Sequence, residues 1–260
     1  MSASVADGPL LEVEGLSKHF GGIKAVQEVT FGMEKGSIVS MIGPNGAGKS
    51  TFINVVSGLY EPNAGNVRLL GEDIGGIPAH AVAAKGLGRT FQLEELFESL
   101  SVLENVMVGG HTRSRSGVFT CGFSRPSARR EEKRLRDEAM TCLEEVDLTQ
   151  RACSPISKLP LGERKLVGVA RALAMKPKLL MLDEPAGGLA AHEVDQLIRL
   201  VYRLKSRGLT IFIVEHNMPF VMSLSERVVV LDEGKKIAEG TPDEVRNNKE
   251  VIKAYLGEEI

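Results

Sequence analysis

The sequence has no tryptophan, and only 5% of its 260 residues are aromatic. Surfaces that stack single-stranded bases depend on aromatic rings, so this shortage argues against such a surface. The sequence also lacks an excess of positive or negative charge, since its formal net charge is only −2. A chain without a strong positive field has no general attraction for nucleic acid, and we expect no nucleic-acid partner.

Cysteine motifs, leader sequences and long apolar runs are equally scarce. The three cysteines, Cys121, Cys142 and Cys153, have the spacing of neither a metal site nor a redox motif, and such scattered thiols are typical of reduced cytosolic proteins. The first eight residues lack a basic segment followed by an apolar run, which predicts no signal peptide. No apolar run approaches the ~20 residues that a spanning helix needs. We therefore expect a soluble chain that reaches a membrane only through a partner.

Segments with the apolar pattern of strands alternate along the chain with segments of helical spacing. This alternation predicts an α/β fold with a parallel sheet at its core. The earliest strands, residues 11–16 and 25–31, alternate apolar and polar side chains, and they indicate an added antiparallel sheet. A capping box from Ser101 to Glu104 predicts the start of a short helix. Further helices are predicted over about residues 162–175, 192–206 and 251–256, and buried strands over 37–42, 179–182, 210–214 and 228–231.

Residues 43–51, GPNGAGKST, match the phosphate-binding-loop pattern in full, with a predicted strand before them and a helix after them. The glycines let backbone N–H groups turn toward phosphates, and the helix N-terminus adds partial positive charge. Lys49 can reach the β- and γ-phosphates, and Ser50 can ligate Mg²⁺. The pattern predicts ATP and Mg²⁺ as cofactors. The nucleotide contacts would come from Gly43, Asn45, Gly46, Gly48, Lys49, Ser50 and Thr51.

Acidic side chains follow two of the predicted buried strands. Asp183 and Glu184 come directly after the first of them, where carboxylates are costly unless a metal or a positive charge compensates them. Ligands of open α/β sheets bind at such strand ends. We therefore expect Asp183 to be the Mg²⁺ partner and Glu184 to be the general base that polarises the attacking water. The next strand delivers Glu215 and His216, and His216 can hydrogen-bond a γ-phosphate.

With these motifs in this order, the chain resembles the ATP-binding subunits of ABC transporters over nearly its whole length. The resemblance implies a P-loop NTPase core with an antiparallel β subdomain and an α-helical signature subdomain, in one domain spanning residues 1–260. It implies that Gln92 is the glutamine loop, which senses the γ-phosphate, contributes to the Mg²⁺ site and contacts the membrane subunit. It also implies that His216 is the switch histidine and that Phe20 lies against adenine. A core aromatic near a strand end is the alternative for Phe20.

The resemblance further implies boundaries inside the domain and a signature toward a second subunit. The helical subdomain would span about residues 90–160, and a C-terminal helical extension would span about 241–256. In this family two subunits enclose two ATP molecules, and each site pairs one phosphate loop with the other chain's signature. The residues here that resemble the signature are Leu159, Pro160, Leu161, Gly162 and Glu163.

This signature departs from the family pattern, which begins Leu-Ser-Gly-Gly-Gln. Pro160 stands where the serine would bind the partner's γ-phosphate, and proline has neither a hydroxyl nor a backbone N–H. Glu163 replaces glutamine, and Ala190 replaces the usual Asp or Asn of the loop that crosses to the partner. These changes suggest a heterodimer in which the site facing Pro160 turns over slowly, and a homodimer is the other possible assembly. The alternative is that Gly162 and the helix N-terminus suffice, because backbone donors bind anions well.

A narrower resemblance is to the branched-chain amino acid importer branch. It depends on the insert at residues 111–136, on EPAGGL at 184–189, on VEHNM at 214–218 and on EGTPDEV at 239–245. The implied partners are membrane permeases, a second related ATPase and, indirectly, an external solute-binding protein, at the cytoplasmic face of the inner membrane. The insert carries eight Lys or Arg against two Glu. It is either a solvated charged helix or a surface near anionic lipid or the permease.

Two other functions are compatible with the motifs. The chain could be a non-catalytic module that binds ATP and only gates a partner, an idea that Pro160 and Ala190 favour and Glu184 opposes. It could also be a non-transport ABC ATPase that acts on ribosomes or DNA. A single ATP-binding unit, no coiled-coil insert and no strong positive charge all argue against this second function.

Overall fold

A computed structural model describes residues 8–90, 96–111 and 126–256, and these residues form two sheets with helices around them. The central sheet has the strand order β10-β9-β3-β8-β7-β6. Its pairings from β9 to β6 are parallel, and only β10 runs antiparallel. The carboxyl ends of five strands therefore meet at one edge. The bounds are β3 Ile38–Ile42, β6 Leu87–Arg89, β7 Leu179–Asp183, β8 Thr210–Val214, β9 Arg227–Asp232 and β10 Lys235–Gly240.

The strands at the centre of this sheet are buried on both faces. Every residue of β3 and β8 is buried, as expected for near-continuous apolar runs in a parallel sheet. The predicted strand over residues 210–214 has the bounds that the structure gives for β8. Strand β10 was not predicted from sequence. Its residues are all exposed or half-buried, and half of them are charged, so this edge strand carries no apolar run.

The second sheet is antiparallel, with the order β2-β1-β4-β5. Its strands are β1 Leu11–Phe20, β2 Ile23–Met33, β4 Ala64–Leu69 and β5 Glu72–Asp73. Leu11 and Val13 turn inward while Glu12 and Glu14 turn outward, so the alternating pattern correctly predicted a sheet with one buried face. Apolar side chains fill the space between the two sheets. Phe31, Phe52 and Phe212 form a ring cluster there, with centroids 5.6–5.9 Å apart.

Nine helices lie within the described ranges. They are α1 Lys49–Val56, α2 Ala79–Ala84, α3 Val102–His111, α4 Pro126–Glu145, α5 Leu161–Ala174, α6 Ala191–Ser206, α7 Met218–Leu224, α8 Pro242–Arg246 and α9 Lys249–Leu256. Short 3₁₀ turns occupy Thr149–Arg151 and Ile156–Lys158. None of these helices is long and apolar enough to cross a membrane.

Helices α3, α4 and α5 lie between β6 and β7 in the chain and pack on one another. Val106, Leu143 and Val167 are fully buried in their shared core. A Cβ at Gly109 would lie 2.0 Å from the carbonyl oxygen of Arg171, so only glycine allows α3 and α5 to approach so closely. The predicted capping box is confirmed, because Ser101 N–H donates to Glu104 at 2.7 Å. The Gly109 contact sets how closely α3 packs on α5.

Helices α8 and α9 are the last elements of the described chain, and they pack against the central sheet. Val245 and Val251 are buried with Val228, Val230 and Ile42. Ile42 is the last residue of β3, so this small core lies directly behind the loop that follows. Helix α8 starts with a capping box between Thr241 and Glu244, and Pro242 occupies its first turn.

Candidate functional site

A glycine-rich loop joins the buried strand β3 to helix α1. Gly46 and Gly48 have φ angles of 84° and 98°, a region that glycine reaches without steric cost. A Cβ at Gly48 would lie 2.2 Å from the carbonyl oxygen of Ala25. The loop therefore fits closely against β2. Residues 45–51 line a cavity of about 600 Å³, and Glu184 lines the same cavity.

Lys49 lies at the first turn of α1 and is folded back over the loop. Its Nζ donates to the carbonyl oxygens of Gly43 and Pro44 at 2.7 and 2.9 Å. Burial lowers the pKa of this ammonium, and the charges of Glu184, Asp183 and Glu215 oppose that effect. The site thus combines a partly desolvated cation with acidic groups from the neighbouring strand ends.

Asp183 ends β7 in contact with a buried arginine. Its Oδ2 accepts a hydrogen bond from Arg89 at 2.9 Å, and the two side chains are 8% and 7% exposed. Arg89 also donates to Asn54 and Ser57 at 2.7 and 2.8 Å. Arg89 was not predicted from sequence, although an arginine in a buried strand needs an anionic partner. The carboxylate of Asp183, which we expected to be the Mg²⁺ partner, is thus hydrogen-bonded to the Arg89 guanidinium.

Glu184 and His216 come together because β7 and β8 are neighbouring strands. The distance from His216 Nδ1 to Glu184 Oε1 is 3.8 Å, and both side chains are partly exposed. Glu184 has a positive φ of 46°, a conformation that is strained for a residue with a Cβ and is often found at functional sites. Its N–H donates to the carbonyl oxygen of Val214 at 2.8 Å. The general base and the switch histidine expected from sequence are therefore adjacent.

Phe20 lies at the end of β1 and is 41% exposed, so it is not a core aromatic. Its ring meets Tyr60 edge-on, with centroids 5.3 Å apart. The Lys18 ammonium lies 5.1 Å from the Phe20 centroid, within the range of a cation–π contact. Tyr60 was not predicted from sequence, since nothing in the pattern after α1 links it to a strand end 40 residues earlier. The pair forms an exposed aromatic surface.

The residues that resemble the family signature lie at the start of α5. Pro160 is the residue before the helix, with φ −63° and ψ 163°. Glu163 forms an ion pair with Arg151 at 3.1 Å, and Leu159 is buried in the helical core. A second cavity, of about 590 Å³, lies between this helix start and the strand-end carboxylates. Its lining includes Pro160, Leu161, Gly162, Glu163, Asp183 and Glu184.

Glu193 connects the signature to the loop that carries Ala190. Its Oε2 accepts from Ala190 N–H at 2.8 Å, and its Oε1 lies 2.2 Å from where a Cβ of Gly162 would be. A side chain at position 162 would therefore displace the Glu193 carboxylate from this position. Gln92, predicted as the glutamine loop, lies outside the described residues, as do Cys121 and positions 112–125 of the basic insert.

The fold and the site define an ATP-binding cassette. The family model described as "ABC transporter" matches residues 26–187, and the chain belongs to this family. A second model, described as "Branched-chain amino acid ATP-binding cassette transporter", matches residues 235–260. The family resemblance and the fold class expected from the sequence are confirmed.

Individual relatives agree with this assignment. The chain is 43% identical over 251 residues to the high-affinity branched-chain amino acid transport ATP-binding protein BraF of Pseudomonas aeruginosa, covering 96% of this chain and 98% of that protein. It is 41% identical to the corresponding protein LivG of Escherichia coli, with the same coverage. A nucleotide-free ATP-binding cassette from an ABC transporter superposes with a TM-score of 0.86 at 30% identity, covering 96% of this chain and 100% of that one. An ATP-binding cassette in its ADP conformation gives 0.83 at 31% identity, with the same coverage.

Proposed function

We propose that this chain binds and hydrolyses ATP as the ATP-binding subunit of an importer for branched-chain or related amino acids. It would act at the cytoplasmic face of the inner membrane through partner permeases. The observation that supports this most is that Lys49, Ser50 and Glu184 line one cavity. The phosphate-binding side chains and the candidate base therefore face the same space. The two relatives named above carry this transport role in their names.

The residues of the cavity fit a nucleotide. The tight contact of Gly48 with Ala25 leaves no room for a side chain at position 48, where the backbone N–H groups can approach phosphates. Lys49 supplies a nearby cation, and Ser50 follows it at the start of α1. The exposed ring of Phe20 offers a surface for adenine. We assign ATP as the substrate and Mg²⁺ as its metal, which Ser50, Asp183 and Gln92 would hold.

The reaction would be transfer of the γ-phosphoryl group to water. Glu184 accepts a proton from the water molecule while the water oxygen forms the new bond to the γ-phosphorus. The bond between the γ-phosphorus and the ADP oxygen breaks, and ADP leaves. Lys49 and the loop amides hold the phosphate charge, and His216 donates to a γ-phosphate oxygen. Bound Mg²⁺ would neutralise charge on the β- and γ-phosphates.

The partner and domain assignments are part of the same proposal. We assign residues of about 90–160 to a helical subdomain inserted in one ATP-binding domain, and residues of about 241–256 to a helical extension. Gln92 would pass the state of the nucleotide to the permease. A second related ATPase would complete each nucleotide site, and Leu159 to Glu163 would face the nucleotide that it holds. An external solute-binding protein would deliver the amino acid.

Phosphate release and partner capture test this function. Purified complex should release phosphate from MgATP. Glu184→Gln should bind ATP but slow hydrolysis of the ATP that this chain holds by at least a hundredfold, the usual scale for a lost general base. The same variant, tagged and extracted from native membranes with ATP, should bring down a permease pair and a sister ATPase. Binding without hydrolysis by the native chain would favour a gating module. Recovery of ribosomes or DNA-bound proteins instead would overturn the transport role.

A further inference from the structure

A buried carboxylate that the proposed mechanism does not use lies beside the switch histidine. Glu215 is fully buried. Its Oε1 accepts from Ala186 N–H at 2.7 Å, and its Oε2 accepts from His216 N–H at 2.8 Å and Asn217 N–H at 3.0 Å. One side chain therefore joins the segment after Glu184 to the segment that carries His216. A desolvated carboxylate with three backbone donors fixes the backbone geometry around it.

A lysine from the signature helix reaches the same region from the other side. Lys165 lies about one turn into α5, and its Nζ donates to the carbonyl oxygens of Glu184 at 2.8 Å and Pro185 at 3.2 Å. Burial lowers the pKa of Lys165, while the charges of Glu215 and Glu184 counteract that effect. Lys165 thus lines the second cavity and connects the helix that follows the signature to the residues after β7.

Glu184 needs this support because its backbone is strained. It has a positive φ of 46°, and residues in such conformations persist only where their surroundings hold them. Its N–H is bound by Val214 and its carbonyl oxygen by Lys165. Loss of the lysine would remove the side-chain donor that helps to keep the Glu184 carboxylate aimed at the cavity.

We propose that Lys165 and Glu215 are positioning residues that hold Glu184 and His216 in their reactive arrangement and connect the signature helix to the hydrolytic residues of the same chain. The proposal rests on the proposed function, in which Glu184 is the base. Neither residue lines the cavity that contains Lys49 and Ser50. Lys165 acts through the backbone of Glu184, and Glu215 acts through the backbone of His216. A signature engaged by the partner's ATP would thereby influence hydrolysis of the ATP held by this chain.

The test is a mutant cycle in the purified transporter complex. Lys165→Met and Glu215→Gln should each lower kcat by about tenfold to a hundredfold, the effect of one lost charge-assisted hydrogen bond. The Kd for a fluorescent ATP analogue should stay within about twofold of the native value, since the phosphate loop keeps its contacts. The double variant should lose about as much as the worse single variant, because the two residues act on one unit. Lys165→Arg, which keeps the donors, should restore most of kcat.

The control makes the same two types of substitution at a surface lysine and glutamate that form an ion pair. Lys205 and Glu226 are 2.6 Å apart and partly exposed, and Lys205→Met with Glu226→Gln should leave kcat nearly unchanged. If Lys165→Met does not fold, Lys165→Gln gives the same comparison with a shorter donor. Unchanged kcat in Lys165→Met, or losses that move Kd and kcat together, would overturn the positioning role alone. A native complex without ATP hydrolysis would overturn both this role and the proposed function.

Discussion

At the scale of single residues, Gly48 shows how one missing side chain makes the nucleotide loop possible. Its φ of 98° and the 2.2 Å approach of a Cβ to the Ala25 carbonyl oxygen exclude every larger residue. Gly48→Ala should therefore displace the loop, at a cost of about 1–3 kcal/mol for backbone strain alone. We expect ATP affinity to fall by about tenfold or more, measured by titration with a fluorescent ATP analogue.

A second glycine provides the control for this substitution. Gly36 also has a positive φ, of 73°, but a Cβ there would meet no neighbour within 4 Å. Gly36→Ala should lower the free energy of unfolding modestly and leave ATP affinity unchanged. Native affinity in Gly48→Ala would show that the loop can move away from β2 without losing the nucleotide.

Arg89 makes a different contribution, because it neutralises a buried carboxylate. Arg89→Met would leave Asp183 without its 2.9 Å partner in a site where both side chains are less than a tenth exposed. Removing one member of a buried pair costs about 3–5 kcal/mol, and we expect the free energy of unfolding in urea to fall by that amount. Asp183→Asn in the same chain should recover part of the loss.

The exposed pair of Arg68 and Glu12 is the matched comparison. The two side chains are 41% and 28% exposed, and their atoms are 3.5 Å apart, so Arg68→Met should cost less than about 1 kcal/mol. Equal losses in Arg68→Met and Arg89→Met would mean that water reaches Asp183 and compensates its charge.

At the scale of elements, the capping box before α3 gives a pH-dependent prediction. The Ser101 hydroxyl and N–H both donate to Glu104 at 2.7 Å, and these bonds lower the pKa of Glu104. Ser101→Ala should cost about 0.5–2 kcal/mol at neutral pH. A lowered folded-state pKa stabilises the fold above the unfolded pKa, near 4.5, and this stabilisation disappears as pH falls through the folded value.

The difference between native and Ser101→Ala unfolding free energies should therefore shrink below about pH 4.5. Ser101→Thr, which keeps the hydroxyl, should retain both the stability and the pH dependence. A difference that stays constant from pH 7 to pH 3 would show that Glu104 does not take part in the cap.

Elements with their own apolar pattern were predictable from sequence, and elements defined by their neighbours were not. Strand β8 and helices α5 and α6 lie within a residue or two of the predicted bounds, because burial imposes a period that the sequence displays. Strand β10 and helix α7 were missed. The exposed edge position of β10 needs no apolar run, and α7 has only seven residues.

The same distinction applies to the candidate site. The phosphate loop, Asp183, Glu184 and His216 were predictable because each is contiguous with a strand that the sequence reveals. Arg89 and Lys165 were not, since their partners lie 94 and 19 residues away along the chain. Pairings of this kind depend on how β6, β7 and α5 pack, which local sequence does not encode.

At the scale of the whole molecule, the signature poses the question of two unequal ATP sites. Pro160, the residue before α5, has no hydroxyl that could donate a hydrogen bond to the partner's γ-phosphate. The phosphate loop of the same chain, in contrast, matches its pattern in full. We predict a heterodimer in which ATP held by this chain is hydrolysed and ATP held by the partner, facing Pro160, turns over slowly. A hydrogen bond to a charged group is worth about 1.5–3 kcal/mol, so its absence corresponds to about tenfold to a hundredfold in rate.

Glu184→Gln should isolate the slow site, because loss of the proposed base should silence hydrolysis of the ATP that this chain holds. In that background, Pro160→Ser should raise the remaining phosphate release of the assembled complex by about tenfold to a hundredfold. Pro242→Ser, a proline-to-serine change at the start of α8, should have no such effect. Unchanged release would mean that the backbone N–H groups at the start of α5 already supply what the serine would, as helix N-termini can. Both ATP sites would then be competent despite Pro160, and the asymmetry would have to be abandoned.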